Sequence, residues 1–449
     1  MAQDAISTSR PRVIVNKKAT RSLAIKWSIC SESGPPSPGQ PEPLSGCLLT
    51  FESPRAALKA EKSFYAMNKR PLYFDYAATT PVDERVIQVM VECLGFNANF
   101  GNPASSSHAF GQAARQTVEQ ARRQVAELVG AQPEQIVWTS GATESNNLAI
   151  KGVAQARGLA GGHIITSQIE HKATLDTARQ LQEAGVAVTY LVPDADGLIS
   201  VQAVSEALRE DTFLVSLMLV NNELGTLNDI PAIGARVREQ GALFHVDAAQ
   251  GAGKVAIDLA QWSVDLMSFS AHKLYGPKGI GALYVGLRAQ QKVLDGVGHE
   301  GGLRSGTLAT HQIAGMGTAF ALAAAYFAEE KAQIVALRER LLEQLASIPG
   351  VRLNGSPTQR IPHTLSLTFS EGEFNAAALS AGIAFSATSA CNSASNAPSH
   401  VLVALGHDAR SAGRTIRLSL GRFTTERDID DAVQLIKTVQ ASAPAFWAV

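Results

Sequence analysis

From residue 135 to 285, short apolar runs alternate with longer stretches of helical period. The runs are Gln135–Thr139, His163–Ser167, Val186–Val192, Phe213–Val220, Ala242–Val246, Leu266–Ser270 and Gly281–Val285. Each is about 4 to 8 residues long, the length of a strand buried on both faces. Between them, helical patterns open at Thr143 and close at Gly185 and Gln240. This order predicts an α/β fold: a mostly parallel seven-stranded sheet with helices on both faces. Upstream, Phe100–His108 reads as a turn-rich loop before a helix through Val129. From about Ala314 a long helical region leads into a smaller α+β domain. Its strands are expected near Thr364–Phe369 and Thr415–Leu420, and its last helix from Asp428. The expected organisation is an extension over 1–66, a segment 67–83 packing with the small domain, a large domain 84–313 and a small domain 314–449.

Composition narrows the class. A formal net charge of −1 provides no basic field for direct nucleic-acid binding. The apolar stretch Ile313–Ala328 is uncharged but shorter than the ~20 residues of a membrane span, and reads as a packed helix. Cys30, Cys47, Cys93 and Cys391 show neither metal-ligand nor framework spacing, so no metal site and no structural disulfide is expected. A reducing compartment, the cytoplasm, follows. Cys93 sits in apolar periodicity and reads as core. Residues 1–66 differ from the rest, being basic at first and then rich in Pro, Ser and Gly. They are read as text upstream of a true start at Met67; the alternative is a targeting leader, with a mitochondrial location.

Two neighbouring stretches carry candidate chemistry. After the run ending Ser268-Phe269-Ser270 comes Ala271-His272-Lys273, then a Tyr-Gly-Pro-Lys-Gly turn. A lysine there is a nucleophile if burial and cationic neighbours lower its pKa, since the neutral amine forms imines. The preceding strand ends in Val246-Asp247-Ala248-Ala249-Gln250. An aspartate so placed is what pyridoxal phosphate needs to keep its pyridinium protonated. Ser140-Gly141-Ala142-Thr143 follows a strand and opens a helix, as an anion site would, though a capping box with Thr143 as N-cap looks similar. Cys391 lies in Ser386-Ala387-Thr388-Ser389-Ala390-Cys391-Asn392-Ser393, small and polar, which suits an exposed reactive thiolate.

Taken together, these segments resemble the fold-type I pyridoxal phosphate enzymes, and within them the class V cysteine desulfurases of the NifS/IscS-like, longer-loop group. The resemblance runs from about Pro71 to Phe446. It implies pyridoxal 5'-phosphate on Lys273, with His171 stacked on its ring and moving protons. Ala142, Thr143, Ser270 and His272 then take the phosphate, and Thr307 reaches the phosphate of a second subunit in a homodimer. Asp247 takes the ring nitrogen, Gln250 the phenolic oxygen, and Asn222 lies near that oxygen and the substrate carboxylate. Arg417 forks that carboxylate, and Cys391 receives sulfur from L-cysteine as a persulfide. A sulfur-acceptor protein of iron–sulfur assembly or tRNA thiolation is the implied partner. Rival readings are selenocysteine lysis or transamination and, in another class, a non-catalytic sulfur-trafficking platform. His245, His299, Glu300 and Arg422 are read as structural or exposed, with a place at the site's mouth left open for His299. One departure from the family is Ala387-Thr388, where Ser-Gly is usual at the loop entrance.

Overall fold

The computed structural model describes residues 70–158, 161–290, 299–371, 374–387 and 397–441. Cys391, with Cys30 and Cys47, lies outside them.

Seven strands form the main sheet: β2 (Ile136–Thr139), β3 (His163–Ser167), β4 (Ala187–Leu191), β5 (Thr212–Met218), β6 (Leu243–Asp247), β7 (Leu266–Ser270) and β8 (Gly281–Val285). Their spatial order is β2-β8-β7-β6-β5-β3-β4. Only β8 runs against its neighbours. The apolar runs are continuous because both faces are covered. Alternate residues feed opposite layers, as a period of two requires. Ile164, Leu214, Leu243, Leu266 and Leu283 pack with Ile150 and Val153 of the helix Ala142–Ala156. Their successors Ile165, Val215, Phe244 and Met267 pack instead with the helices Ala109–Val129, Ile230–Glu239 and Thr310–Leu345.

The helix Thr310–Leu345 serves two cores. Ile313, Met316 and Phe320 join the main one, whereas Ile334, Leu337 and Leu341 join the second. That second core backs an antiparallel sheet in the order β12-β13-β10-β9, formed by β9 (Val351–Leu353), β10 (Thr364–Phe369), β12 (Ser386–Ala387) and β13 (Thr415–Ser419). The N-terminal segment is stitched to the same region. There β1 (Leu72–Tyr73) pairs with β11 (Ile383–Ala384), Asp75 bridges Ser419, and Phe74 is fully buried. The apolar stretch from Ile313 is a packed helix, and among the described residues no helix is long and apolar enough to cross a membrane. The last helix opens at Glu426, slightly before the expected Asp428. The cause is local: Thr425 Oγ1 accepts from the Asp428 N–H while Asp428 Oδ2 accepts from the Thr425 N–H, a reciprocal cap.

His245 lies in the middle of β6, fully buried, with Nδ1 2.8 Å from Ser216 Oγ and Nε2 2.9 Å from Ser268 Oγ. Burial, outweighing the pull of Asp247, drops its pKa from 6.5 to about 4. The fold therefore refuses a proton that the unfolded chain accepts. Its contribution is complete above pH 6.5 and is lost as pH falls toward 4, on the order of 3 kcal/mol. Urea midpoints of the wild type are expected to fall across that window more steeply than those of His245→Gln. Parallel curves would rule the histidine out as a source of acid lability.

Candidate active site

Parallel strands put their carboxyl ends on one side, where α/β proteins bind ligands. Met218, Asp247 and Ser268 stand in register across β5, β6 and β7, and the chain continues from Ser270 into Ala271, His272 and Lys273. The turn after the lysine is pinned. Tyr275 adopts φ 59, uncommon for a bulky residue. It is held there by Thr80 Oγ1, which accepts from its N–H at 2.7 Å, and by the guanidinium of Arg422, 4.1 Å above its ring. Gly281, opening β8, passes so close to Gly141 that a Cβ would lie 2.6 Å from the Gly141 Cα. Gly141 itself takes φ 154 and ψ 174, a conformation essentially reserved for glycine.

These ends surround a cavity of about 620 Å³. His171, Asn222, Asp247, Gln250 and Lys273 line it, as do Ala142, Thr143, Ser270, His272 and Arg417. Thr307 does not, and Arg304 is paired with Glu144 of the same chain at 2.8 Å. Thr143 is not an N-cap. The cap is Gly141, and the helix begins at Ala142, so Thr143 stands inside the first turn.

One end of the cavity suits an anion. The first N–H groups of the helix Ala142–Ala156 have no partner within the helix and carry partial positive charge. Ser270 Oγ is buried, with no hydrogen-bond partner among the described residues. The ring of His272 stands 3.2 Å from Thr79 Oγ1 through Nδ1. Burial, then Lys273, depresses its pKa to about 4, so at neutral pH it hydrogen-bonds rather than carries charge.

Asp247 is fixed from two sides, Oδ1 accepting from the Ala249 N–H at 2.9 Å and Oδ2 from Asn146 Nδ2 at 2.7 Å. Lys273, half-buried at the cavity wall, has its pKa lowered by desolvation and by Arg417, against the pull of Asp247. His171 caps the helix Lys172–Glu183, its Nδ1 accepting from the Ala173 N–H at 3.2 Å. That contact leaves the neutral ring's proton on Nε2. Its pKa is lowered by desolvation first and the Lys273 charge second.

Arg417 comes from β13, in the other sheet. Nη1 donates to Asn222 O at 2.8 Å; Nη2 donates to Asp75 Oδ1 at 2.7 Å and to Ser386 Oγ at 2.6 Å. Its Nε is buried, with no partner among the described residues. Ser386 and Ser399, either side of the segment that bears Cys391, both line the cavity. Ser399 Oγ donates to Glu223 Oε2, and His400 Nε2 lies 2.9 Å from Glu170 O. Burial raises the Glu170 carboxyl to about 8, so it is neutral beside His171. Arg422 is structural: it pairs with Asp83 at 2.6 Å and with Glu330. Glu300 is bound at 2.9 Å by Arg122, away from this cavity. His299 stands with it there, so the place at the mouth left open for His299 is not taken in this chain.

Sequence reasoning missed Asp75, Asn146, Glu170, Glu223, Ser399 and His400. Asn146 lies one helical turn from Thr143, a spacing that places both on the same helix face. Asp75 gave no such signal, because its partner lies 342 residues away.

The Aminotransferase class-V family profile matches residues 72–432. Cysteine desulfurase IscS of Pseudomonas aeruginosa (strain LESB58) is 58% identical over 378 residues, 83% of this chain and 93% of the relative. The protein of the same name from Azotobacter vinelandii is 58% identical over 373 residues, 82% of this chain and 92% of its own length. Among solved structures, a NifS-like protein is 35% identical with a TM-score of 0.76, covering 83% of this chain and 100% of that one. Another, described as SspA in complex with cysteine, is 42% identical with a TM-score of 0.70, covering 79% and 99%. The class V family is pyridoxal phosphate-dependent. The chain therefore belongs to the class V aminotransferase family and, within it, to the cysteine desulfurases.

Proposed function

We propose that this chain binds pyridoxal 5'-phosphate on Lys273 and moves the sulfur of L-cysteine onto Cys391, releasing L-alanine. The observation that carries this is the convergence on one cavity of Asp247 and Arg417, from strands of two sheets, and Lys273, from the turn after β7. The donor set fits the cofactor: an unpartnered buried hydroxyl at Ser270, a helix N-terminus at Ala142 and Thr143, and the neutral ring of His272 for its phosphate. Asp247 would hold the ring nitrogen, Gln250 and Asn222 the phenolic oxygen, and His171 the ring face. When bound, the cofactor supplies an electron-withdrawing ring conjugated to the substrate's α-carbon.

Arg417 binds the substrate carboxylate with its planar donors, using the free Nε and exchanging Asp75 at Nη2. Lys273, its amine made available by desolvation, would take the α-proton, and His171, on the same cavity, would move protons beside it. The Cys391 thiolate then attacks the substrate sulfur. A sulfur–sulfur bond forms, the carbon–sulfur bond breaks, and its electron pair stays with the carbon, which takes a proton to become alanine. Cys391 is left as a persulfide for a sulfur-acceptor protein of iron–sulfur assembly or tRNA thiolation, in the reducing cytoplasm.

A homodimer accompanies this reading, with Thr307 reaching the second subunit's phosphate. Its support is a cluster of three aromatic rings left exposed on the single chain. Phe96 is 80% exposed, Phe100 45% and Phe110 50%, with ring centroids 5.3 to 6.5 Å apart.

The test is turnover of L-cysteine to equimolar alanine and sulfide, with cysteamine, which lacks the carboxylate, left untouched. Arg417→Lys loses a charged forked hydrogen bond of about 1.5–3 kcal/mol. That is roughly a tenfold to hundredfold fall in kcat/KM. An unchanged kcat/KM would remove Arg417 from substrate binding.

A further inference from the structure

Gln250 is 4% exposed and lines the cavity; Lys254, four residues on, stands behind it. Gln250 Nε2 donates to Ala77 O at 2.7 Å, and Lys254 Nζ donates to Gln250 Oε1 at 3.2 Å. A backbone carbonyl only accepts, so the Ala77 contact assigns Nε2 and thereby both ends of an amide that geometry alone leaves ambiguous. The carbonyl end is turned to Lys254, and the remaining amide hydrogen belongs to Nε2. That hydrogen has no partner among the described residues, on a side chain that lines the cavity.

The cation behind it has no anionic counterpart. Among the described residues no carboxylate pairs with Lys254, and the neighbouring charges that act on it, Lys273 and Arg417, are both positive. Desolvation and those charges pull it down to about 7. Beside it, His363 is buried and driven to a pKa of about 3 by burial first and Lys254 next, so it stands as a neutral ring and offers Lys254 no counter-charge. An anionic oxygen accepting from Gln250 would supply what is missing.

We propose that Lys254 is a positioning residue: it locks the Gln250 amide with its N–H toward the cavity and, through that amide, holds the cofactor's phenolic oxygen in its anionic form. This rests on the pyridoxal phosphate reading above. Lys254→Met keeps the stem and removes both cation and donor. A lost cation and a lost donor act in the same direction, each raising the proton affinity of the oxygen and its imine partner.

The experiment titrates the visible band of holoenzyme with pH in wild type, Lys254→Met, Gln250→Leu and the double variant. It also measures pyridoxal phosphate dissociation from each by dialysis. The expected result is a midpoint raised by about one unit and cofactor bound about tenfold more weakly in Lys254→Met, with no further change when Gln250 is already leucine. Lys254→Gln, which keeps a neutral donor, is expected to shift about half as far; it carries the same test if the methionine variant does not fold. An unmoved midpoint, or an equal shift with and without Gln250, overturns the proposal. Failure of wild type to show any visible band would instead sink the cofactor reading itself.

Discussion

Lys273→Ala is expected to abolish alanine formation from L-cysteine and the visible band of covalently held cofactor. Removing a positioned proton carrier alone costs roughly 10²–10⁴ in rate, and here the same amine is also the anchor. The variant leaves Asp247 held by Asn146 and the Ala249 N–H, and Arg417 held by Asn222 and Asp75, so the rest of the cavity is undisturbed. Stability should not fall, because the substitution removes a cation that desolvation already disfavours. Lys273→Arg separates charge from nucleophilicity. It keeps the positive charge near Asp247 but cannot lose its proton, so it should be as inactive as alanine. Turnover by Lys273→Arg above a tenth of the wild-type rate would show that the amine is not the reacting group.

The sheet was legible because its signal is local. Each strand of the main sheet is a short apolar run, and alternate residues such as Ile164 and Ile165 sort to opposite layers without help from distant sequence. The side of the sheet at which the site lies was legible for the same reason. Asp247 and Ser270 end their strands, and parallel neighbours end together. Helix ends were legible only to within a turn. Thr143 looked like a cap because threonine often is one, but Gly141, free to take φ 154, starts the helix earlier. What could not be read was the second layer of contacts. The Asp75–Arg417–Ser386 cluster joins the first strand's exit, the last strand and the entrance of the Cys391 segment. Glu170 is lifted by burial, against the opposing N–H of Met218 on β5, and its backbone oxygen lies beside His400; neither partner is adjacent in sequence. Such charges announce nothing in a linear pattern, since an isolated Asp or Glu reads as a solvated one.

Cys391→Ala is expected to stop desulfuration by about three orders of magnitude or more, as losing a nucleophile does, while leaving the cofactor band intact. The two halves of the chemistry thereby come apart. Lys273→Ala loses the band and the product; Cys391→Ala keeps the band, still responds spectrally to L-cysteine through Arg417, and makes no alanine. Cys391→Ser should behave like alanine, because a hydroxyl is scarcely ionised at neutral pH where a thiol partly is. Ser386 and Ser399 bring the chain to the cavity on both sides of the thiol, and the tethers Ser386–Asp75 and Ser399–Glu223 fix those two points. Cys93 offers no substitute: it is 7% exposed, and its thiol lies 3.5 Å from Val89 O. Intact mass after brief exposure to L-cysteine should show one added sulfur on the wild type, mapped to Cys391, and none on Cys391→Ala. Alanine formed at the wild-type rate without that thiol, or a sulfur mapped to another cysteine, would end the persulfide mechanism while leaving the cofactor assignment standing.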